Sequence, residues 1–478
     1  MPDTDISSNK RPNPRMVLFL VCLGLFMTAL NNRALLISLP TLTRVFDTNL
    51  ATIQWALLAY DLAILGLVLT LGRLGDLYGR KRIYVAGFLL FACSSVLCGL
   101  SQSSAQLITF RVLQGIGGAM LTANGRAIIS VVFGAKERGK AMGLTSMAYH
   151  VGFLSGPTLG GFLIDTVGWR WIFYLNSPVG LAGAYMAWKI LEQTEEDKEP
   201  GRIDVLGACL LLMGNTSLLF AMNQLPRLGP VHPRFLLIAL FSTVVFVCFI
   251  ATEVRAQTPI LSLSLFRSRL FCFGNLSLFL ITATQSAFNF LMPFYLQNLM
   301  GYTPSQMGWI IIINSVVIII IAPVAGWWSD RLGSRFLCTV GAGFMALAMF
   351  FLAFLNLDST VLGILWPLAM LGFGWALFNA PNTAAVLGAV AQDKVGAASG
   401  MMVTTTRIGG TLGVALSAAL FTYGLSTAGM ARNQVESPEN WGSSPELFIQ
   451  TFAATVHSIN SFILLAIVFS AMRGGRRE

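Results

Sequence analysis

Charge is what this sequence has least of. Asp, Glu, Lys and Arg make up 11% of its 478 residues, where a soluble domain carries about 25%. With 55% hydrophobic residues and a mean hydropathy of +0.71, that scarcity excludes a soluble globular protein and places the chain in a lipid bilayer. No polar stretch is long enough for a soluble catalytic domain. Histidine numbers three, and His150, His232 and His457 form no ligand pattern, so neither a metal site nor a bound cofactor is expected. The seven cysteines all fall in apolar segments without a CxxC pair, which reads as small core residues, not disulfides or ligands. There is no Walker loop, so the chain does not itself hydrolyse ATP. An embedded enzyme would need a His/Asp/Glu cluster or a nucleophile beside a base, and a channel would need charged rings or a filter loop; neither is visible.

What is there is length of apolar run. Runs near 16–39, 52–72, 83–101, 105–133, 141–165, 172–190, 204–224, 235–252, 271–297, 306–327, 336–356, 361–388, 396–422 and 451–472 predict an all-α polytopic protein of about fourteen spanning helices. The first run is too long for a signal h-region and reads as an uncleaved span. With the N-terminus in the cytoplasm, the inner connections hold most of the base: Lys10, Arg11 and Arg15; Arg73 and Arg80 to Arg82; Lys136, Arg138 and Lys140; Lys189, Lys198 and Arg202; Arg255, Arg267 and Arg269; Arg331 and Arg335; Lys394; Arg473, Arg476 and Arg477. The outer ones hold Arg44, Arg170, Arg227, Arg234 and Arg432. This is the positive-inside pattern. It puts both termini in the cytoplasm and explains the net charge of +10 through the bilayer, without nucleic acid.

The chain repeats itself. Gly72-x3-Asp76-x2-Gly79, followed by Arg80, Lys81 and Arg82, returns as Gly326-x3-Asp330-x2-Gly333, with Arg331 inside it and Arg335 behind. Both copies fall on an inner loop after an even-numbered helix, so the repeat is parallel. That divides the chain into a six-helix bundle over 1–192, a connector with two additional helices over 193–260, and a second six-helix bundle over 261–478. In the loop, Gly79 permits a tight turn. Asp76 can bond the amides of the next helix or pair with Arg, and its recurrence as Asp330 marks a conformational latch. Arg80 anchors the loop at the inner surface.

Four charges lie inside apolar runs: Arg33, Asp61, Arg111 and Arg407. A charge at the bilayer centre costs about 2.5–3.5 kcal/mol or more, so such residues face a cavity or each other. Arg111, Gly115, Gly118, Thr122 and Arg126 form one stripe of the fourth helix, which predicts a cavity-facing side; Arg126 can instead snorkel to the inner end. In the fifth helix Gly152, Gly156 and Gly160 make a smooth strip beside Pro157, suited either to rocking against the other half or to static close packing. His150, one turn before them, reads as a proton relay or as a neutral hydrogen-bonded histidine. In the second half Thr282, Gln285 and Asn289 share one face of a helix, and Trp375, Asn379 and Asn382 share another; these suit a solute or interhelical hydrogen bonds.

Several stretches resemble the major facilitator superfamily, and more narrowly its fourteen-helix drug:proton antiporter group: the paired loop motifs, Arg111-Val-Leu-Gln114-Gly115, Gly152-Phe-Leu-Ser-Gly156-Pro157-Thr-Leu-Gly160-Gly161, Gly168-Trp-Arg-Trp, Pro259 with Leu265-Phe266-Arg267, and Ala398-Ser-Gly400 with Arg407-x-Gly-Gly410. The resemblance implies a major facilitator fold in the cell (plasma or inner) membrane, alternating access, and efflux of small organic compounds driven by protons. It also implies a monomer, a cavity-facing Arg111 that helps proton transfer, and substrate contacts from the ninth and twelfth helices. The first helix departs from that group's pattern: Asn31 stands where a carboxylate is expected, and Arg33 where a Thr is. Asp61 of the second helix is then the expected proton site, with Arg33 and Arg111 near it. The alternative is a permanent Arg33–Asp61 pair. Arg33 lies about 200° around the helix from Asn31, so both cannot face the cavity. Three deep arginines against one deep carboxylate favour an anionic or zwitterionic solute. The competing function is a facilitator of an anionic metabolite or lipid, with Arg33 and Arg407 as ligands and little proton coupling.

Overall fold

The computed structural model describes residues 13–473 apart from 49, 54, 135, 193–203, 229–231, 257–262, 303 and 431–443. Outside these lie Lys10, Arg11, Lys198, Arg202, Pro259, Arg432, Arg476 and Arg477, most of the acidic connector and most of the 425–448 loop.

Fourteen helices of at least 15 residues occur among the described residues. In chain order they are α1 (Pro14–Val45), α2 (Trp55–Tyr78), α3 (Arg80–Leu100), α4 (Ser104–Val132), α5 (Arg138–Thr166), α6 (Asn176–Ile190), α7 (Val205–Leu228), α8 (Pro233–Arg255), α9 (Arg269–Phe294), α10 (Pro304–Leu332), α11 (Ser334–Leu352), α12 (Val361–Gly388), α13 (Val395–Thr427) and α14 (Pro445–Met472). Local chemistry sets several starts. Asn13, Ser103, Ser268 and Thr360 each accept a backbone N–H in the first turn of α1, α4, α9 and α12. The loop glycines Gly79 and Gly333 sit at φ +93° and +84°, a region closed to most side chains, and turn the chain at once into α3 and α11.

Among the described residues, eleven helices are long and apolar enough to cross a membrane. Helices α5, α6 and α7 are not among them. Helix α6 has 15 residues, and α5 is rich in Gly, Ser and Thr because it packs against other helices instead of lipid.

The packing is two-fold. In the first half α1 lies on α5, α2 and α3 on α4, and α3 on α6; in the second, α9 lies on α13, α10 and α11 on α12, and α11 on α14. The halves meet along α2 against α13 and along α5 against α10 and α12. Helices α7 and α8 pack on each other, and α7 leans on both α2 and α13. There Asn215 donates to the Leu65 carbonyl at 3.1 Å.

Candidate functional site

The ends of the two seams that carry the repeated loop motifs are closed by the same device used twice. On the first seam, Gly72 and Gly396 leave no room for a side chain: a Cβ on Gly396 would lie 2.2 Å from the Gly72 carbonyl oxygen. That approach lets Asp76 accept the Gly396 and Ala397 N–H groups at 2.9 and 3.0 Å. On the second seam, Gly326 meets Gly139, and Asp330 accepts the N–H groups of Gly139 and Lys140 at 2.8 and 3.0 Å. Each carboxylate caps a helix N-terminus of the opposite half, where backbone donors are free and the dipole is positive. Of the two partners expected for Asp76, the amides of the next helix and an Arg, the structure has the Arg, and the amides it accepts are those of α13. Arg80 donates to Asp76 at 2.7 Å and also to the Gln392 carbonyl across the seam, so it fastens the latch as well as the loop. Arg331 lies flat on Trp327, 3.9 Å from its ring centroid.

Further into the membrane, the first seam carries a charge pair: Arg407 of α13 donates to Oδ1 of Asp61 of α2. Each side chain is 32% exposed. Arg33 does not pair with Asp61; its guanidinium stacks on Phe153, 3.7 Å from the centroid. Arg33 still lies within Coulombic reach of Asp61, Arg407 and Tyr149, and Arg126 within reach of Tyr149 and Arg407. Tyr149 is exposed. Arg33, Arg126 and Arg407 with Tyr149 therefore make a cationic cluster between the halves, holding one carboxylate. Arg126 forms no ion pair or hydrogen bond among the described residues. It belongs to this cluster and does not snorkel to the inner end.

Arg111 is elsewhere. It is 0% exposed, donating to the Ala56 carbonyl at 2.9 Å and to Gln114 at 2.5 Å, with its charge 4.1 Å from the Tyr60 ring centroid. Gln114 bonds Ser95 at 2.7 Å and exchanges longer bonds with Asn31, and Asn176 donates to Asn31 at 3.4 Å. The structure thus encloses Arg111 and Asn31 in a buried polar knot inside the first half, where the sequence placed Arg111 on a cavity. The stripe was real but mostly misassigned: Gly115 and Gly118 lie against Tyr60, and only Arg126 reaches the cluster.

The glycine strip also finds a different partner. Gly152, Gly156 and Gly160 face Phe26, Arg33 and Ala34 of α1, within the same half; the face of α5 that meets the other half is Gly139 and Gly143. Pro157 is exposed. Nδ1 of His150 lies 2.9 Å from the Ser146 carbonyl, so that nitrogen carries a hydrogen and donates.

In the second half, Gln285 and Trp375 are each 9% exposed, and the Gln285 Oε1 and Trp375 Nε1 atoms are buried without a partner. Asn289, 3.5 Å from Gln285, is exposed, and Asn379 is half-buried. Asn382 is fully buried, donating to the Gly274 carbonyl and accepting from Arg473. It ties α9, α12 and the end of α14 together and offers no surface to a solute.

Tyr149 and Phe153 were missed from sequence, because aromatics in an apolar helix carry no signal until a cation is placed beside them. No group of three or more metal-ligating side chains occurs among the described residues.

Two symmetric bundles, latched on one side of a charged middle, define a carrier. The sequence model of the Major Facilitator Superfamily matches residues 21–414. The chain is 31% identical to the riboflavin transporter RibZ of Clostridioides difficile (strain 630) over 411 residues, 86% of this chain and 89% of that one. It is 30% identical to the tetracenomycin C resistance and export protein of Streptomyces glaucescens over 412 residues, 86% and 76% of the two chains. The fold is shared with the human organic anion transporter MFSD10, with a TM-score of 0.65 over 96% of this chain and 100% of that chain at 16% identity. The chain belongs to the major facilitator superfamily. It is a multi-pass integral membrane transporter and not an enzyme.

Proposed function

We propose that the protein exports small organic compounds of anionic or zwitterionic character against proton influx, as a monomer with fourteen spans and both termini in the cytoplasm. The observation that carries this reading is the Asp61–Arg407 pair, which joins the two halves in mid-membrane between unpaired Arg33 and Arg126. A solute carboxylate or phosphate that binds Arg407 displaces Asp61. The freed carboxylate then takes a proton, and the neutral acid no longer holds α2 to α13. The solute anion and Asp61 compete for one guanidinium, so solute binding and protonation of Asp61 are linked. The Asp76 and Asp330 latches describe a state closed to the cytoplasm. Gln285, Asn289, Trp375 and Asn379 orient the body of the solute. A riboflavin transporter and a tetracenomycin C export protein among the relatives support an organic cargo and the outward direction.

A second reading has a specific observation in its favour. Asp61 is already neutralised by Arg407, so the cluster has no carboxylate free of a cation among the described residues. A facilitator of an anionic metabolite or lipid, with Arg33 and Arg407 as ligands, would look the same. Flux in proteoliposomes with and without a pH gradient separates the two. Exchange requires that the gradient accelerate wild-type flux and that Asp61→Asn remove the acceleration; a facilitator ignores the gradient in both proteins.

A further inference from the structure

The additional helices lie where the two halves must part. Helix α7 leans on α2 of the first half and on α13 of the second, along the seam that holds Asp61 and Arg407. A carrier that opens the end bearing the loop motifs separates α2 from α13 there. A helix touching both must then stay with one of them and slide on the other.

The contacts of α7 are unequal. On α2, the Leu212 side chain fills the notch at Gly66, where a Cβ would collide with Leu212 Cδ1. Asn215, 1% exposed, donates to the adjacent Leu65 carbonyl at 3.1 Å. Inside a bilayer no water replaces such a bond. On α13 neither device occurs. The glycine notches of α13 are filled by α2, α9 and α14 and not by α7, and α7 gives α13 no hydrogen bond among the described residues. Thr411 of α13 instead borders a cavity of about 710 Å³ walled by α2, α7 and α8. Close-packed interiors hold few voids larger than a water molecule, so this one is clearance beside α13. Helix α8 follows α7: Ser242 donates to the Gly214 carbonyl at 3.3 Å, and Phe246 rests on Gly214.

We propose that α7 and α8 are a lateral seal carried by the first half. They move with α2 while α13 slides beneath them, so the parted seam does not open onto acyl chains. The seam they cover is the one with the mid-membrane charge pair, and Asp61 stands in the cavity wall. A charge left facing hydrocarbon is costly, which gives the cover its purpose. No additional helix packs along the second seam, α5 against α10 and α12, among the described residues. The seal serves an exchanger and a facilitator alike, since both must part the halves. Leu212 and Asn215 are its positioning residues.

The test locks α7 to α2 in the full chain in lipid nanodiscs, with the native cysteines replaced by alanine. Gly66→Cys with Leu212→Cys brings two thiols within disulfide reach, since a Cβ at 66 lies 3.6 Å from the Leu212 Cα. The readout is hydrogen exchange at the Gly396 and Ala397 amides, which bond Asp76 across the seam and are released when it opens. The disulfide is expected to form on oxidation and to leave that exchange within about twofold of the reduced protein. Slowing by about tenfold or more overturns the proposal, because α7 must then slide on α2. Failure of the disulfide to form overturns it too, by denying the α2–α7 register. A second arm places a spin label at Leu206→Cys, 61% exposed at the start of α7, and pairs it in turn with Tyr78→Cys of the first half and Phe336→Cys of the second. In the Gly396→Ala background the distance from 206 to 336 should lengthen and that from 206 to 78 should not; any other pattern overturns the proposal. This arm decides alone if the double-cysteine protein does not elute as a folded monomer. Neither arm measures flux, so failure of proton-driven export leaves both results standing.

Discussion

Adding one methyl group at Gly396 should open the cytoplasmic side. Its Cβ would lie 2.2 Å from the Gly72 carbonyl oxygen and 2.6 Å from Oδ1 of Asp76, where ordinary contact begins at 3.4 Å. The obstacle is backbone, so no side-chain rotation relieves it, and α2 and α13 must part by about 1 Å in a close-packed seam. Overpacking of this kind costs about 1–3 kcal/mol. The penalty falls only on the state in which the two helices touch, so Gly396→Ala should move the balance toward the cytoplasm-open state by roughly 5–150-fold. Gly139→Ala should do the same on the other seam, where its Cβ meets the Gly326 carbonyl at 2.4 Å. Spin labels at Tyr78→Cys and Phe336→Cys, both exposed positions of opposite halves, report the separation once the native cysteines are replaced by alanine. Gly161→Ala is the control, since nothing lies within 4 Å of its Cβ. A distance distribution for Gly396→Ala that matches wild type and Gly161→Ala would refute the reasoning, because a backbone clash cannot be absorbed silently.

Other perturbations address the remaining parts. Arg407→Gln leaves Asp61 without its cation and removes a link of about 1 kcal/mol, since a one-third-exposed pair falls between the surface and buried ranges; the same spin labels should show a smaller opening than with Gly396→Ala, and an equal or larger one contradicts the ranking. Arg33→Ala and Arg126→Gln each remove a cation from the cluster and should raise KM for a carboxylate-bearing solute about tenfold, with no change for a neutral analogue, as read by vesicle uptake. Arg111→Met removes the charge-assisted bonds to the Ala56 carbonyl and to Gln114 Oε1, which keeps the longer bond from Asn31, at about 1.5–3 kcal/mol each; melting in detergent should fall sharply while flux per folded molecule stays near wild type. A stable Arg111→Met protein with lost flux would return Arg111 to the transport path.

The periodicities that define helices were plain in the sequence, and so was the repeat that pairs Asp76 with Asp330. Apolar runs and basic loops follow from the bilayer directly. What lay beyond reach was which face of each helix meets which neighbour. Arg111 and Arg126 share one stripe, yet the first is sealed against Tyr60 and the second belongs to the cluster. Arg33 and Asp61 are both deep in the first half, and their pairing was a fair expectation. The partner is Arg407, some 346 positions away in sequence, a contact that exists only because the halves fold together. Asn382 carries the same lesson: an amide on a polar face, placed by packing against Gly274 and Arg473 where no solute reaches.

The repeat also shows where the two halves stop being equivalent. Arg407 stands eleven residues after Gly396, and His150 eleven after Gly139; Asp61 stands fifteen before Asp76, and Ser315 fifteen before Asp330. The seam that holds Asp61 and Arg407 therefore has a counterpart holding Ser315 and His150, and His150 is occupied with the Ser146 carbonyl of its own helix. Both seams close on glycine and an aspartate cap, so closure is symmetric. The charge pair is not: among the described residues the mid-membrane Asp61–Arg407 pair has no equivalent at Ser315 and His150. Helix α7 leans on that seam and carries α8, and a cavity of about 710 Å³ opens beside it. The fold supplies two equal seams, and the sequence has made one of them responsive to charge.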